Sequence, residues 1–180
     1  MSTQAITEGS SYKKIPVMTA SGRTVNDSSV IVKQILVACG GGEFDAAMQE
    51  EITFGLQPAI EVDVLGNGAD FKKLGLKIGF PLWCVPEFLL ASMMGSKIAE
   101  KIKRSYPDMK PAVDYGKSFK ARFDSKFHGG DEPDQVDISY YGTVAPFHVG
   151  EDCVVAKHLA DSGLDEWFED MMGTMPAMDD

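Results

Sequence analysis

Three thiols, three imidazoles and one Ser-bearing turn are the groups in this 180-residue chain whose types could do chemistry. Cys39, Cys84 and Cys153 stand far apart and none belongs to a Cys-x-x-Cys pair, so neither a disulfide framework nor a zinc ribbon is indicated. That usage fits a reducing or organellar-matrix compartment. His128, His148 and His158 lack a ligand spacing such as His-x-x-x-His, so no protein-bound metal is expected. Cys39 sits before Gly40, Gly41 and Gly42 and reads as a buried or incidental thiol. The run Asn26-Asp27-Ser28 has the composition of a helix N-cap. A Ser28 hydroxyl beside free helix N–H groups would also suit a carboxylate, although capping alone explains the run equally well. Pro16, after Ile15, is either a terminator of an edge strand or a cis-peptide position that presents the Ile15 backbone.

Short elements must position these groups. Ile15 to Thr19 predicts a strand, Ser21-Gly22 a turn and Thr24-Val25 a second strand. A helix with Val30, Ile31, Ile35 and Leu36 on its apolar side follows and ends at the Gly run. Residues 43–57 predict a helix with Phe44, Ala47, Met48, Ile52 and Leu56 on one face, and Pro58 to Lys73, rich in Gly, Asn and Asp, reads as a loop. Phe88 to Arg104 predicts a helix with Leu89, Met93 and Ile98 inward, closed by Tyr106-Pro107. Pro111 to Phe127 predicts another, whose Tyr115, Phe119, Phe123 and Phe127 recur every four residues and read as core rather than as a cofactor box. Asp134-Gln135-Val136-Asp137 has the form of a capping box opening a helix buried through Ile138, Tyr141 and Val144. After Val154 to Leu159, Ser162-Gly163-Leu164-Asp165 reads as a second capping box, ahead of Leu164, Trp167, Phe168, Met171 and Met172.

The net charge of -10 argues against general nucleic-acid binding. It is unevenly spread. Residues 72–127 hold 12 Lys and Arg against 5 Asp and Glu, whereas residues 128–180 hold 1 against 13. The basic middle could face an anionic partner or lipid headgroups, or form two solvated Lys-rich helices. Met1 to Tyr12 is polar, so no secretory signal is expected. Phe80 to Met94 is the most apolar stretch, too short for a standard bilayer span; a buried helix is the default and a helix lying in a membrane interface the alternative.

Lys14-Ile15-Pro16-Val17-Met18, followed by Asn26-Asp27-Ser28-Ser29-Val30-Ile31, resembles the glutathione-binding half of a glutathione transferase. The wider string Ser10 to Val17 is similar to the membrane-associated prostaglandin E synthase type 2 branch. Phe127-His128-Gly129-Gly130 with Asp134 and Asp137, and Gly163-Leu164-Asp165-Glu166-Trp167-Phe168-Glu169-Asp170, resemble the final helical domain of that branch. Residues 58–95 match poorly. The resemblance implies an α+β, mainly α fold: a truncated thioredoxin-like lobe over residues 1–42, hairpin plus helix, then an all-helical glutathione-transferase C-terminal-type domain over residues 43–180. It implies vestigial glutathione-binding roles for Ile15 and Pro16 at the cysteinyl backbone, with Pro16 cis, and for Asp27 and Ser28 at the γ-glutamyl end.

In the family the nucleophilic Cys precedes this region, activated at a helix N-terminus. No Cys precedes Pro16 here, so no catalytic residue can be matched, and glutathione is expected to bind weakly if at all. A lone hairpin with one helix would leave a strand edge open near Ile15–Met18, which other protein subunits would cover. The implied function is a degenerate, non-catalytic accessory or structural subunit of a larger organellar assembly, in a mitochondrion or plastid and conceivably membrane-bound. Contact with a membrane or anionic surface would run through Phe80–Met94 and the basic segment Lys97–Lys126. Two rivals stand beside it. One is a prostaglandin E synthase-like or glutathione-dependent enzyme whose Cys lies outside this sequence; the other is a binding module with a partial glutathione or peptide site.

Overall fold

The structure is a computed structural model that describes residues 17–20, 23–26, 31, 45–77, 79, 85–89 and 95–174. The chain divides into two compact units, Met1–Asp45 and Ala46–Asp180.

In the first unit, β1 (Val17–Ala20) pairs antiparallel with β2 (Arg23–Asn26), in the register Val17↔Asn26 to Ala20↔Arg23. Two residues separate the strands, the shortest common hairpin connection. Among the described residues neither strand has another partner. Ile31 is helical and buried. Ile15, Pro16, Asp27, Ser28 and Cys39 lie outside the described residues, as do Phe44, Cys84, Met93 and most of Phe80–Met94.

The second unit is all-helical among its described residues and opens on three segments that run on without a break: α1 (Ala46–Glu51), a π-helical turn (Ile52–Leu56) and α2 (Gln57–Gly66). The loop expected from Pro58 to Lys73 is therefore wrong. Gln57 N–H bonds back to Ile52 O, and the next residue, Pro58, has no N–H to lose where the widened turn rejoins α geometry. The Asn and Gly expected to loop out form a one-residue joint instead. Asn67 Oδ1 accepts from Ala69 N–H (3.1 Å) and Asp70 N–H (3.3 Å) and so starts α3 (Gly68–Lys77). On the first of these helices Met48, Ile52 and Leu56 are buried as expected, but Ala47 is exposed.

A short α4 (Glu87–Leu89) and α5 (Ser96–Ser105) overlap the expected helix Phe88–Arg104 and overrun it by one residue at each end; residues 90–94 lie outside the described set. Tyr106 ends α5 as expected, its N–H bonding to Ile102 O. The inward residue of α5 is Ala99; Ile98, expected inside, is 41% exposed, and Leu89 is half-buried. Helix α6 (Ala112–Lys120) stops seven residues short of Phe127. Phe123 and Phe127 are nonetheless buried, because the chain turns back beneath α6, held by bonds that a continued helix could not make.

Those bonds converge on α7 (Gln135–Val144), which leads into a 3-10 turn (Ala145–Phe147). The expected capping box is present: Asp134 accepts from Val136 and Asp137 N–H, and Asp137 accepts from Asp134 N–H. The expected buried face is rotated. Ile138 is 52% exposed and Tyr141 half-buried, while Val136, Asp137, Tyr140 and Val144 face inward. Burial of the Asp137 carboxylate sets that phase. The second expected capping box does not form. Ser162 is the last residue of α8 (Val154–Ser162), and Gly163, at φ 69°, ends it with Gly163 N–H on Ala160 O and Leu164 N–H on Leu159 O. This six-to-one closure needs the left-handed conformation that glycine adopts without cost. Helix α9 (Asp165–Thr174) follows. Among the described residues no helix is long and apolar enough to cross a membrane.

Candidate functional site

The densest cluster of polar chemistry in the second unit lies where the chain turns back after α6. Phe127 and Gly130 exchange two backbone hydrogen bonds (3.0 and 3.1 Å), with Gly130 at φ 102°, a conformation L side chains rarely adopt. This tight turn aims the His128 and Gly129 N–H groups at one carboxylate. Asp137 Oδ1 accepts from His128 N–H (3.0 Å) and Trp167 Nε1–H (2.8 Å), and Oδ2 from Gly129 N–H (3.1 Å) and Asp134 N–H (3.0 Å). Four donors fill the roughly four lone-pair directions of a carboxylate. Asp137 is fully buried, so this one side chain fastens the turn, the start of α7 and, through Trp167, α9.

Asp134 is the outer member. Its Oδ1 accepts from Val136 N–H (2.8 Å) and Asp137 N–H (3.0 Å), and its Oδ2 meets His128 Nδ1 at 2.7 Å. Burial pushes the Asp134 carboxyl up, but the His128 contact and the backbone amides outweigh it, and its pKa lies below the ordinary carboxylate range. His128, Asp134 and Asp137 thus bring one potential ligand atom each within 4.8 Å of one another, a grouping that histidine spacing alone did not suggest. The donor set does not fit a cation. Asp137 faces N–H groups on all sides, and an ion there would displace bonds that hold three segments together.

A second pair lies deeper. Tyr140 Oη is 3.0 Å from His158 Nε2, and both residues are buried. Burial drives the Tyr140 hydroxyl pKa well upward, with the Glu51 charge adding to the effect. Burial also pushes the His158 imidazole down to about 4, partly opposed by Asp161. At neutral pH the pair is therefore an uncharged phenol and an uncharged imidazole, whose Nδ1 is left without a partner among the described residues. Phe119 stacks on Tyr140 (centroids 4.3 Å) and Trp167 meets both rings edge-on. The aromatic series Tyr115, Phe119, Phe123, Phe127 is core, as expected, and walls these polar groups off from solvent.

No protein-family model, curated protein or solved structure matches this chain. Chemistry must be judged from the groups themselves.

Among the described residues neither His128 nor His158 is bonded to a hydroxyl or thiol that could serve as a carbon-directed nucleophile; the one hydroxyl in contact, that of Tyr140, is held protonated by burial. Cys153 is fully buried, and its Sγ accepts from Ala156 N–H (3.3 Å) as the cap of α8. Asp70, also buried, accepts from Val154 N–H (2.7 Å) at the same helix start. An open cleft of about 330 Å³ beside Trp167 is lined by Lys120, Lys126, Asp165, Glu166 and Asp170, with Lys126 tied to Asp170 at 2.9 Å. Asp165 and Glu166 occupy the first turn of α9, where they meet the helix dipole.

The sequence-derived glutathione residues Ile15, Pro16, Asp27 and Ser28 lie outside the described residues, so the structure neither assembles nor separates them. Of the fastening network, Asp134 and Asp137 were legible as a capping box. Trp167 as a donor and Tyr140 paired with His158 were missed, since partners thirty and eighteen residues apart leave no local signal.

Proposed function

We propose that this chain is a degenerate, non-catalytic relative of the glutathione transferases, most similar to the membrane-associated prostaglandin E synthase type 2 branch, acting as an accessory or structural subunit of a larger organellar assembly. In this reading residues 1–42 are the remnant of a thioredoxin-like lobe and residues 43–180 the C-terminal-type helical domain.

The observation that carries the reading is where the reactive groups of the helical unit sit. Asp137, Tyr140, Cys153 and His158 are all buried; Asp137, Tyr140 and His158 hold one segment against another, and Cys153 caps its own helix. Catalytic acids, bases and nucleophiles need a perturbed pKa and access to substrate together. Here the perturbed groups Tyr140 and His158 lie beneath an aromatic layer. The two-stranded sheet adds a second support, since β1 and β2 have one partner each among the described residues and an open strand edge invites pairing with another chain.

The test is made on the expressed full chain. Sedimentation should show association, and incubation with glutathione and an electrophilic substrate should show no conjugation above the uncatalysed rate. Calorimetry with glutathione should give little heat, and Ser28→Ala should not change it. A stable monodisperse monomer would remove the subunit reading, and measurable turnover would restore the enzyme one.

A further inference from the structure

We propose that the solvent face of α5 is a docking surface for anionic lipid headgroups. This goes beyond the subunit reading and stands without it. In α5, Lys97 and Lys101 are exposed and have no hydrogen-bond or ion-pair partner among the described residues. The Arg104 side chain is 82% exposed and touches only Glu100 at 3.5 Å, itself 68% exposed. A contact of that length between two solvated side chains contributes little and leaves the guanidinium free to bind elsewhere. Three other cations of the basic segment are engaged: Arg122 pairs with Glu51 at 2.9 Å, Lys126 with Asp170 at 2.9 Å, and Lys120 lies over the Phe123 ring, whereas Lys110 and Lys117 are exposed.

Two observations choose lipid over an acidic polypeptide. The first is Ile98, which is 41% exposed between Lys97 and Lys101 in sequence, so that an aliphatic side chain and cations share the open side of one helix. A surface built only for charge pairing has no use for it, whereas a headgroup layer takes up both. The second is repetition. In α3, Leu76 is 45% exposed and Lys73 and Lys77 are exposed beside it. Both α3 and α5 pack on α2. In sequence these helices flank residues 80–94, which carry a single charged residue, Glu87. The overall charge of -10 does not oppose docking, because at physiological ionic strength charges beyond about 8 Å are largely screened and the local face decides.

Vesicle co-sedimentation of the full chain tests this, with phosphatidylcholine alone and with about 30% phosphatidylserine added. The chain should bind the anionic vesicles and not the neutral ones, and release in high salt. Each cation near an anionic surface is worth about fivefold in partitioning, so Lys97→Ala/Lys101→Ala should weaken binding about 25-fold, and Lys97→Arg/Lys101→Arg should bind like the parent. Ile98→Ser should weaken it severalfold. Far-UV circular dichroism checks that each variant keeps its helices, which these exposed positions permit. Equal binding to both vesicle types, or undiminished binding by the alanine pair, overturns the proposal. So does capture by immobilised polyglutamate without vesicle binding, which would make an acidic polypeptide the occupant.

Discussion

Asp137→Ala removes the acceptor of four N–H groups in one step, and the structure sets what each loss costs. Trp167 Nε1–H is buried at 2.8 Å from Oδ1 and finds no replacement, and a buried donor left unmade costs about 1–3 kcal/mol. The half of the capping box that Asp137 supplies, Asp134 N–H to Oδ2 at 3.0 Å, is worth about 1 kcal/mol. His128 and Gly129 N–H lie in a partly exposed turn where water can replace the carboxylate, so about 0.5–1 kcal/mol each is lost. The expected destabilisation is about 4 kcal/mol, at the upper end for a single substitution. Asp137→Asn keeps one oxygen, still able to serve one pair of donors, but turns its NH2 toward the other pair; about 2 kcal/mol is expected. Urea unfolding followed by far-UV circular dichroism gives both values. Trp167→Phe should cost about 2 kcal/mol, and because it shares a bond with Asp137 the double variant should lose about 1–2 kcal/mol less than the sum of the singles. A loss below about 1 kcal/mol for Asp137→Ala, or strict additivity with Trp167→Phe, would refute the claim that this carboxylate fastens three segments.

The other predictions are smaller in scope. His158 is held neutral by burial, with a pKa near 4 against about 6.5 in an unfolded chain, so its stabilisation is complete above pH 6.5 and is lost as pH falls from 6.5 to 4, by up to about 3 kcal/mol; urea midpoints across that range should show the slope, and His158→Gln should flatten it. Asp134, also shifted downward, loses its contribution as pH falls below the ordinary carboxylate value, lower than the His158 range, so the two titrations separate in the same experiment. Gly116→Ala would push a methyl group into Ser162 and His158, where α6 meets α8, and should cost about 1–3 kcal/mol, with Ser162→Gly restoring most of it; an unchanged urea midpoint would mean the helices separate freely there. Cys153 should resist alkylation in the folded chain, read by mass spectrometry of its peptide, and Cys153→Ser should leave stability within about 1 kcal/mol because Ser caps a helix as well.

Local chemistry was legible in the sequence where one bond decides. The Asp134 capping box, the stop at Tyr106 and the aromatic series as core all follow from adjacent or helical spacing. The failures have two causes: a local bond of unexpected form, and a distant contact overriding a local preference. Pro58 and Asn67 look like loop formers, yet one falls at the end of a π turn and the other caps the next helix. Apolar periodicity carries α6 to Phe127, but two amides bound by Asp137 bend the chain back after Lys120. The same carboxylate rotates α7, exposing Ile138. Ser162 has the type of a capping residue, but Gly163 makes it the end of the preceding helix. For α6, α7 and α8 the outcome has no sequence-local signal, because the deciding partner lies between eight and thirty residues away or in the following residue's handedness.

The same carboxylate bears on function. A buried Asp next to a His is what an acid–base site would require, and the sequence motif around Phe127-His128-Gly129-Gly130 could be read that way. In a working dyad the carboxylate orients the imidazole and leaves its far nitrogen to meet a reacting group. Here the more buried carboxylate spends all four acceptor positions on N–H groups of the protein, and the one that does reach His128 also caps a helix. Proton transfer through Asp137 itself would have to perturb the bonds that hold the turn, α7 and α9 together. The cations Lys97, Lys101 and Arg104 are placed the opposite way, solvated and structurally idle, so they can be engaged by a partner without any cost to folding. The vesicle measurement asks whether those exterior charges engage an anionic surface, and sedimentation whether the chain associates.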